Sequence, residues 1–352
     1  MMDLSLNWIQ NRAAILDKDA RGIALLRQNS LTKPPGSLGQ LEEIAVWLAE
    51  RQSNHQPAVD KVWISVFAAD HGVMEEQVSA FPQVVTGEMI KNFAAGGAAI
   101  CVIAESINAR LEVINLGVVN EPGELPGIVQ DQIAPQTLNI LNGVAMTPEQ
   151  FARAMYSGKR AAERAWEQGS QLYIAGDMGI GNTTVSAALA CVYLQMEPEQ
   201  LVGPGTGLDA DGVKHKANVI KQALLRNQPG CSTPEGVLQC LGGFEIVAIA
   251  GAMIRAAQLS MPILVDGYIS STAALAAVRI NPSVQDWLHF SHRSAEPGHD
   301  AILQELNAGT VLNLGMCLGE ASGAAVTVPL FRLACDLHNN MATFGEAGVS
   351  EA

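Results

Sequence analysis

The spacing of apolar residues in this chain changes character near residue 57. Before it, Leu4, Leu6, Trp8, Ile9, Ile15, Leu16, Ile23, Leu25 and Leu26 recur at helical spacing and predict helix up to about residue 30. Pro34-Pro35-Gly36 then forces an extended turn, and a second amphipathic helix opens at Ser37 or the Gly39 region and runs to about Gln52. After Pro57 the apolar runs are short and continuous, and each ends in small or polar residues. "VWISVFAADHG" ends at Asp70-His71-Gly72, "LEVINLG" at Asn115 and Gly117, and "QLYIAGDMG" at Gly176 and Asp177. "MPILVDGY" ends at Asp266-Gly267 and "WLHFSHRS" near Ser291-His292. Each run reads as a buried strand. Helical stretches lie between them, at roughly 86–107, 148–168, 182–195, 211–227, 241–259 and 271–279, and a long apolar helix opened by Gly319-Glu320-Ala321-Ser322 closes the chain.

Strands alternating with helices predict βαβ units, hence an α/β fold whose mostly parallel sheet is covered by helices on both faces. In such a sheet ligands bind outside the carboxyl ends of the strands, where the polar strand ends above fall. The 352 residues suffice for one large α/β domain plus an accessory element. With no internal repeat or clear linker, that element is assembled from the two chain ends.

Composition narrows the partners. A formal charge of −14 with no Lys/Arg-rich stretch argues against a nucleic-acid surface. It leaves room for one phosphate, which a few cations and backbone N–H groups can bind. The six cysteines are scattered without a C-x-x-C and read as mostly buried, reduced thiols of a cytosolic protein. The N-terminus lacks a sustained apolar core, so no signal peptide is expected, and the apolar stretch 244–259, interrupted by Glu245 and Arg255, falls short of a membrane span.

Several motifs can carry chemistry. In "IAGDMGIGNTT", Gly176, Gly179 and Gly181 permit a tight turn, and Asn182-Thr183-Thr184 caps the next helix with N–H groups facing outward. That suits a phosphate or a ribose; a well-capped strand-to-helix turn is the competing reading. The missing Gly-Lys-Ser/Thr argues against a P-loop NTPase. A second glycine loop, from Gly203 through Gly205 to Gly207, precedes Lys214 and Lys216, which could anchor a phosphate or sit solvated on their helix. Asp70 and His71 favour a structural role at a strand end. His289, His292 and His299 lack the spacing of a metal site, so no metal is expected. Glu320 lies among apolar and small residues, where desolvation would raise its pKa toward that of a general base while the helix dipole opposes the shift.

Taken in order, "TKPPGSLGQLE", "AADHGV", "VSAFPQVVT", "GDMGIGNTT", "GGFEIVAIAGAM", "LVDGYISSTAAL" and "LGEASGAA" resemble the nicotinate-nucleotide:5,6-dimethylbenzimidazole phosphoribosyltransferase family of cobalamin biosynthesis, collinearly from about residue 30 to 345. The resemblance implies transfer of phosphoribose from nicotinate mononucleotide to the benzimidazole, giving α-ribazole 5′-phosphate and nicotinate. It also implies a Rossmann-like large domain (about 57–320), a small helical domain (about 1–56 with 321–352), and a cytoplasmic homodimer. Nicotinate leaves as a neutral ring nitrogen, so departure needs no proton, metal or cofactor. The incoming base must lose its N–H proton as it attacks C1′ with inversion, so one general base is enough.

By resemblance that base is Glu320, with Asp177 supporting it where the family usually has Glu. The turn at Gly176, Gly179 and Gly181, with Asn182 and Thr183, would cradle the ribose phosphate, aided by Gly203, Gly205, Lys216, Asp266 and Ser291. Phe81, Pro82, Met89, Met178 and Leu318 would wall the base pocket. Cys317 stands where relatives commonly have Arg, so Arg293 is the candidate substitute cation; Ala321 stands where they commonly have Gly. Transfer to adenine or a phenolic acceptor, and a nucleotide sensor without turnover, stay open as alternatives.

Overall fold

The structure, a computed structural model, describes residues 4–205 and 207–350. Helices α1 (Lys18–Ser30) and α2 (Gln40–Gln52) lead into β1 (Val62–Ala69), α3 (Val84–Ala94), α4 (Ala99–Ser106), β2 (Arg110–Gly117) and β3 (Ile128–Gln130). Then come α5 (Pro148–Glu167), β4 (Leu172–Met178), α6 (Asn182–Leu194), α7 (Pro198–Leu201), α8 (Ala210–Asn227), α9 (Pro234–Leu241) and α10 (Phe244–Gln258). The chain ends with β5 (Ile263–Val265), α11 (Tyr268–Ile280), β6 (Leu288–His292), α12 (Gly298–Glu305), β7 (Thr310–Leu312), α13 (Ser322–Asn340) and α14 (Phe344–Ala347).

The strands form one sheet of seven in the order β3-β2-β1-β4-β5-β6-β7, every pair parallel. Chain direction across the sheet reverses between β1 and β4, whose register pairs Phe67 with Asp177 and Ala68 with Met178. Helices cover both faces. Trp63, Phe67 and Ala69 of β1 enter the core built with α5, α6, α10 and α11, while Val62, Ile64 and Val66 enter the core built with α2, α4 and α13. Alternation along β1 thus feeds two layers, as a fully buried parallel strand must.

Five strands match the sequence reading. β3 and β7 were not anticipated: each has three residues, none fully buried, on a sheet edge, so neither makes an apolar run. The stretch at 86–107 is two helices, broken at Gly96 and Gly97. Val84–Ser106 has the length and apolarity of a membrane span, yet Ile90, Phe93, Ile100 and Ala104 from its two halves are buried in the protein. The stretch at 241–259 is likewise two helices, parted at Gly242-Gly243.

The first 30 residues are not one helix. Trp8 and Ile9 are buried in a 3-10 turn, and α1 begins only at Lys18, because Asp17 caps it by accepting from the Ala20 N–H at 2.9 Å. This phase buries Ala24 against Val46 and Ala49 and leaves Ile23, Leu25 and Leu26 exposed. The chain ends meet: Arg27 donates to the carbonyls of His338 and Asn339, and Leu31 bridges to Thr343. α13 packs on α2 and also sends Ala324, Ala325 and Val328 into the sheet's core.

Helices α5 and α10 approach through small residues. A Cβ on Gly158 would lie 1.8 Å from the Ala248 carbonyl oxygen and 2.7 Å from the Ala252 nitrogen, so the helices would have to separate. Gly158→Ala is expected to destabilise the protein by about 1–3 kcal/mol despite its better helix propensity, read as a lower urea midpoint at unchanged slope.

Candidate active site

A cavity of about 270 Å³ opens at the carboxyl ends of the strands, next to the β1/β4 reversal. Its walls come from the turn after β4, the β5–α11 and β6–α12 connections, the 317–319 segment and Phe81. This is the crevice that a doubly wound parallel sheet leaves open, since neighbouring crossovers depart to opposite faces there.

The turn after β4 is built for close approach. Gly181, the N-cap of α6, has φ 99°, a left-handed conformation that a side chain would strain. The Ile180 N–H donates to Thr86 Oγ1 at 3.1 Å, and Asn182 Nδ2 donates to Asp177 Oδ2 at 2.9 Å. Gly179, Asn182 and Thr183 line the cavity, whereas Gly181 packs on Met74. Gly176 lies inside β4 and does not reach the cavity wall; its missing side chain lets the strand close on Ala321. In the second loop Gly205 lines the cavity, while Gly203 packs beneath on Glu296 and Pro297.

The two lysines part ways. Lys214 is exposed and pairs with Asp211. Lys216 is 1% exposed and donates from Nζ to Thr183 Oγ1 at 2.7 Å, directly behind two residues of the cavity wall. Burial lowers its pKa to about 8, against the opposing pull of Glu296.

Carboxyl groups crowd the other side. Asp177 is 4% exposed and is pushed well above the usual carboxylate range by burial and then by Asp266, Glu245 and Glu320. Asp266 is raised by burial, opposed by His292, whose Nε2 lies 3.7 Å from Oδ1, and by the N–H of Ala324 at 2.8 Å. Glu320 is raised by burial, with the Ile100 N–H pulling it back and Asp266 adding to the rise. Its Oε2 is buried without a hydrogen-bond partner, and its N–H donates to the Asp177 carbonyl at 3.2 Å.

Gly319, Glu320 and Ala321 all have left-handed φ, at 85°, 60° and 65°. For Ala321 that conformation costs about 1 kcal/mol relative to glycine. Its methyl is fully buried in the sheet's core, which returns about 0.8 kcal/mol, so alanine in a glycine position is nearly neutral here.

Of the pocket residues suggested by resemblance, Phe81, Met178 and Leu318 line the cavity. Pro82 is exposed, and half-buried Met89 packs against the core on the α2, α4 and α13 face, so neither forms the wall. Glu320 sits immediately behind Gly319, which does line it. Ser291 is fully buried on β6 with an unpartnered hydroxyl, one residue short of the wall. Arg293 points away and pairs with Asp300 on the surface, so it does not supply the cation that the resemblance led one to expect near Cys317; Cys317 itself is exposed at the cavity.

His292 lines the cavity, His299 lies behind it with ring centroids 6.4 Å apart, and His289 packs elsewhere, between Trp47 and Phe331. Among the described residues no three metal-ligating side chains converge. Sequence reasoning missed Tyr268 and Glu296 in the wall and weighed His292 only as a metal ligand. A strand-end position was the one signal pointing to His292; Glu296, in a connection, offered none.

Comparison with known proteins identifies the family and supports the fold. A family model described as phosphoribosyltransferase matches residues 14–349. The chain belongs to this phosphoribosyltransferase family. A nicotinate-nucleotide–dimethylbenzimidazole phosphoribosyltransferase of Xanthomonas campestris pv. campestris is 54% identical over 349 residues, covering 99% of this chain and 100% of that one. One of the same name from Pseudomonas syringae pv. syringae is 51% identical, covering 99% of each. The crystal structure of the Thermus thermophilus enzyme of that name superposes with a TM-score of 0.90 at 42% identity, covering 96% of this chain and 100% of that chain. The chain is therefore a phosphoribosyltransferase on a Rossmann-like α/β fold.

The crowding of carboxyls has a measurable consequence. An aspartate whose native pKa is raised contributes stability below its unfolded value near 4, and loses it as pH rises through the native value. Asp177→Asn removes that loss and keeps an oxygen for Asn182. Its thermal midpoint at pH 7 is expected to exceed the parent's by at least about 2 °C, with the difference shrinking toward pH 4 in scanning calorimetry.

Proposed function

We propose that this protein transfers phosphoribose from nicotinate mononucleotide to 5,6-dimethylbenzimidazole, giving α-ribazole 5′-phosphate and nicotinate, with Glu320 as general base. The observation that carries the reading is the placement of charge. Asp177, Asp266 and Glu320 crowd around the ends of β4 and β5 and the 317–320 segment, while Lys216, with Glu296 acting on it, stands behind Thr183 and Gly205. Nicotinate mononucleotide has the complementary layout, a pyridinium cation and a phosphate at opposite ends of one ribose.

As nicotinate departs, positive charge grows at C1′. Carboxylates held apart from water interact with that charge more strongly than they would in bulk solvent, which lowers the barrier. Binding of the cation also draws Asp177 and Asp266 toward their ionised forms, relieving the repulsion present in the empty cavity. The acceptor's N–H proton then passes to Glu320, whose raised pKa and unpartnered Oε2 suit it to accept. The turn at 179–183 and Gly205 hold the ribose phosphate through N–H groups, with Lys216 supplying the cation. Phe81, Met178 and Leu318 provide apolar surface for a flat base.

In the same reading residues 57–320 form the large domain and the two chain ends the small one. The enzyme works in the cytoplasm as a homodimer, to which exposed Ile23, Leu25 and Leu26 of α1 offer apolar surface.

The direct test incubates purified protein with nicotinate mononucleotide and 5,6-dimethylbenzimidazole and follows nicotinate and the new nucleotide by chromatography. Failure to form the α-nucleotide overturns the reading. Glu320→Gln is expected to lower kcat by about 10²–10⁴-fold while binding nicotinate mononucleotide as the parent does. In the parent, kcat should fall as pH drops through a carboxyl pKa above the usual range. Lys216→Ala should raise KM for the nucleotide by about 10–100-fold with kcat little changed. Because Lys216 loses its proton above about pH 8, parental affinity should decline past that point, and the variant should lack the decline in calorimetric titrations.

A further inference from the structure

Against the glycine turn, but outside the cavity wall, lie four fully buried polar residues that the chemistry above does not use: Asp70, His71, Thr86 and Glu245. The 70–71 segment is a fixed frame. The Asp70 N–H donates to the Gly117 carbonyl, its carbonyl accepts from the Thr137 N–H, and its Oδ2 accepts from the Val119 N–H. The His71 carbonyl accepts from the Met74 N–H and from Gln83 Nε2, each at 3.1 Å.

The turn meets this frame at two points. Thr86 lies beside the Asp70 carboxyl, and its Oγ1 accepts from the Ile180 N–H at 3.1 Å. The His71 ring lies under Gly179, where a Cβ would come within 3.0 Å of Nε2, and that same nitrogen is 2.9 Å from Glu245 Oε1 at the start of α10. Burial alone would strip the proton from His71, but Glu245 and then Asp70 raise its pKa. The ring is thus clamped between α10 and the turn, and Gly243 leaves no space for it to swing away, since a Cβ there would lie 2.3 Å from Cε1.

We infer that Thr86 and the His71–Glu245 pair are positioning residues that hold the 179–181 turn in the form that presents its N–H groups to the substrate's phosphate, without touching the substrate. The inference rests on the proposed function. Phosphate contacts persist from ground state to transition state, so loss of positioning should appear in nucleotide affinity and leave the chemical step nearly unchanged.

The test compares wild type with Thr86→Val, Thr86→Ser and Glu245→Gln in the full chain, using calorimetric titration with nicotinate mononucleotide, steady-state kinetics and melting temperature. Thr86→Val should weaken nucleotide binding about tenfold, with kcat and KM for the acceptor base near the parent's, Glu245→Gln should weaken nucleotide binding by a similar factor, and Thr86→Ser should restore binding. Unchanged affinity with only a lowered melting temperature, or a serine variant no better than valine, overturns the inference. If Glu245→Gln does not fold, the two Thr86 variants decide it. Wild-type protein that binds the nucleotide but releases no nicotinate sinks the transfer reading alone.

Discussion

The parallel pairing of β1 with β4 is the constraint on which the rest depends. These two strands are hydrogen-bonded neighbours, yet three helices and two other strands intervene between them in the chain. The crossover away from β1 builds one half of the sheet and the crossovers away from β4 the other, so the space above their junction is left unfilled. Everything polar that the strands carry at their ends is delivered to the rim of that crevice.

The delivery is costly in electrostatic terms. Asp177, Asp266, Glu320 and Glu245 influence one another through a poorly solvated interior, while the nearby cations, His71 and Lys216, are themselves buried. An interior that concentrates one sign of charge is tolerated when the surrounding packing over-determines it. Here the packing is unusually small-grained. Gly176 against Ala321 and Gly179 against the Ala69 carbonyl bring backbone against backbone on either side of Asp177. The same close packing would keep the cavity preorganised for the cationic nucleotide of the proposed reaction.

Much of this was legible along the chain. Five strands announced themselves as apolar runs, three-residue β5 among them because all of it is buried, and the glycines after β4 marked the turn. The order of short motifs identified the family, because collinear motifs across three hundred residues constrain far more than any one of them. Other features had no local signature. β3 and β7 lie on the sheet edges with no fully buried residue, so neither makes a run. The first apolar stretch looked helical throughout, but the Asp17 cap set a phase that buries alanines and exposes leucines. Glu245 read as an interruption of an apolar helix, because its partner His71 lies far away in sequence.

Sequence alone determined the class of fold, the parallel arrangement, the turn after β4 and the family, since periodicity, glycine placement and motif order are local properties of the chain. Tertiary structure decided which strand ends share the cavity, which of two neighbouring lysines is buried behind it, and why Pro82, Met89, Ser291 and Arg293 stand outside its wall. It also decided the protonation of the carboxyls. Burial and charge are set by neighbours that meet only when the sheet closes, and no local pattern records them.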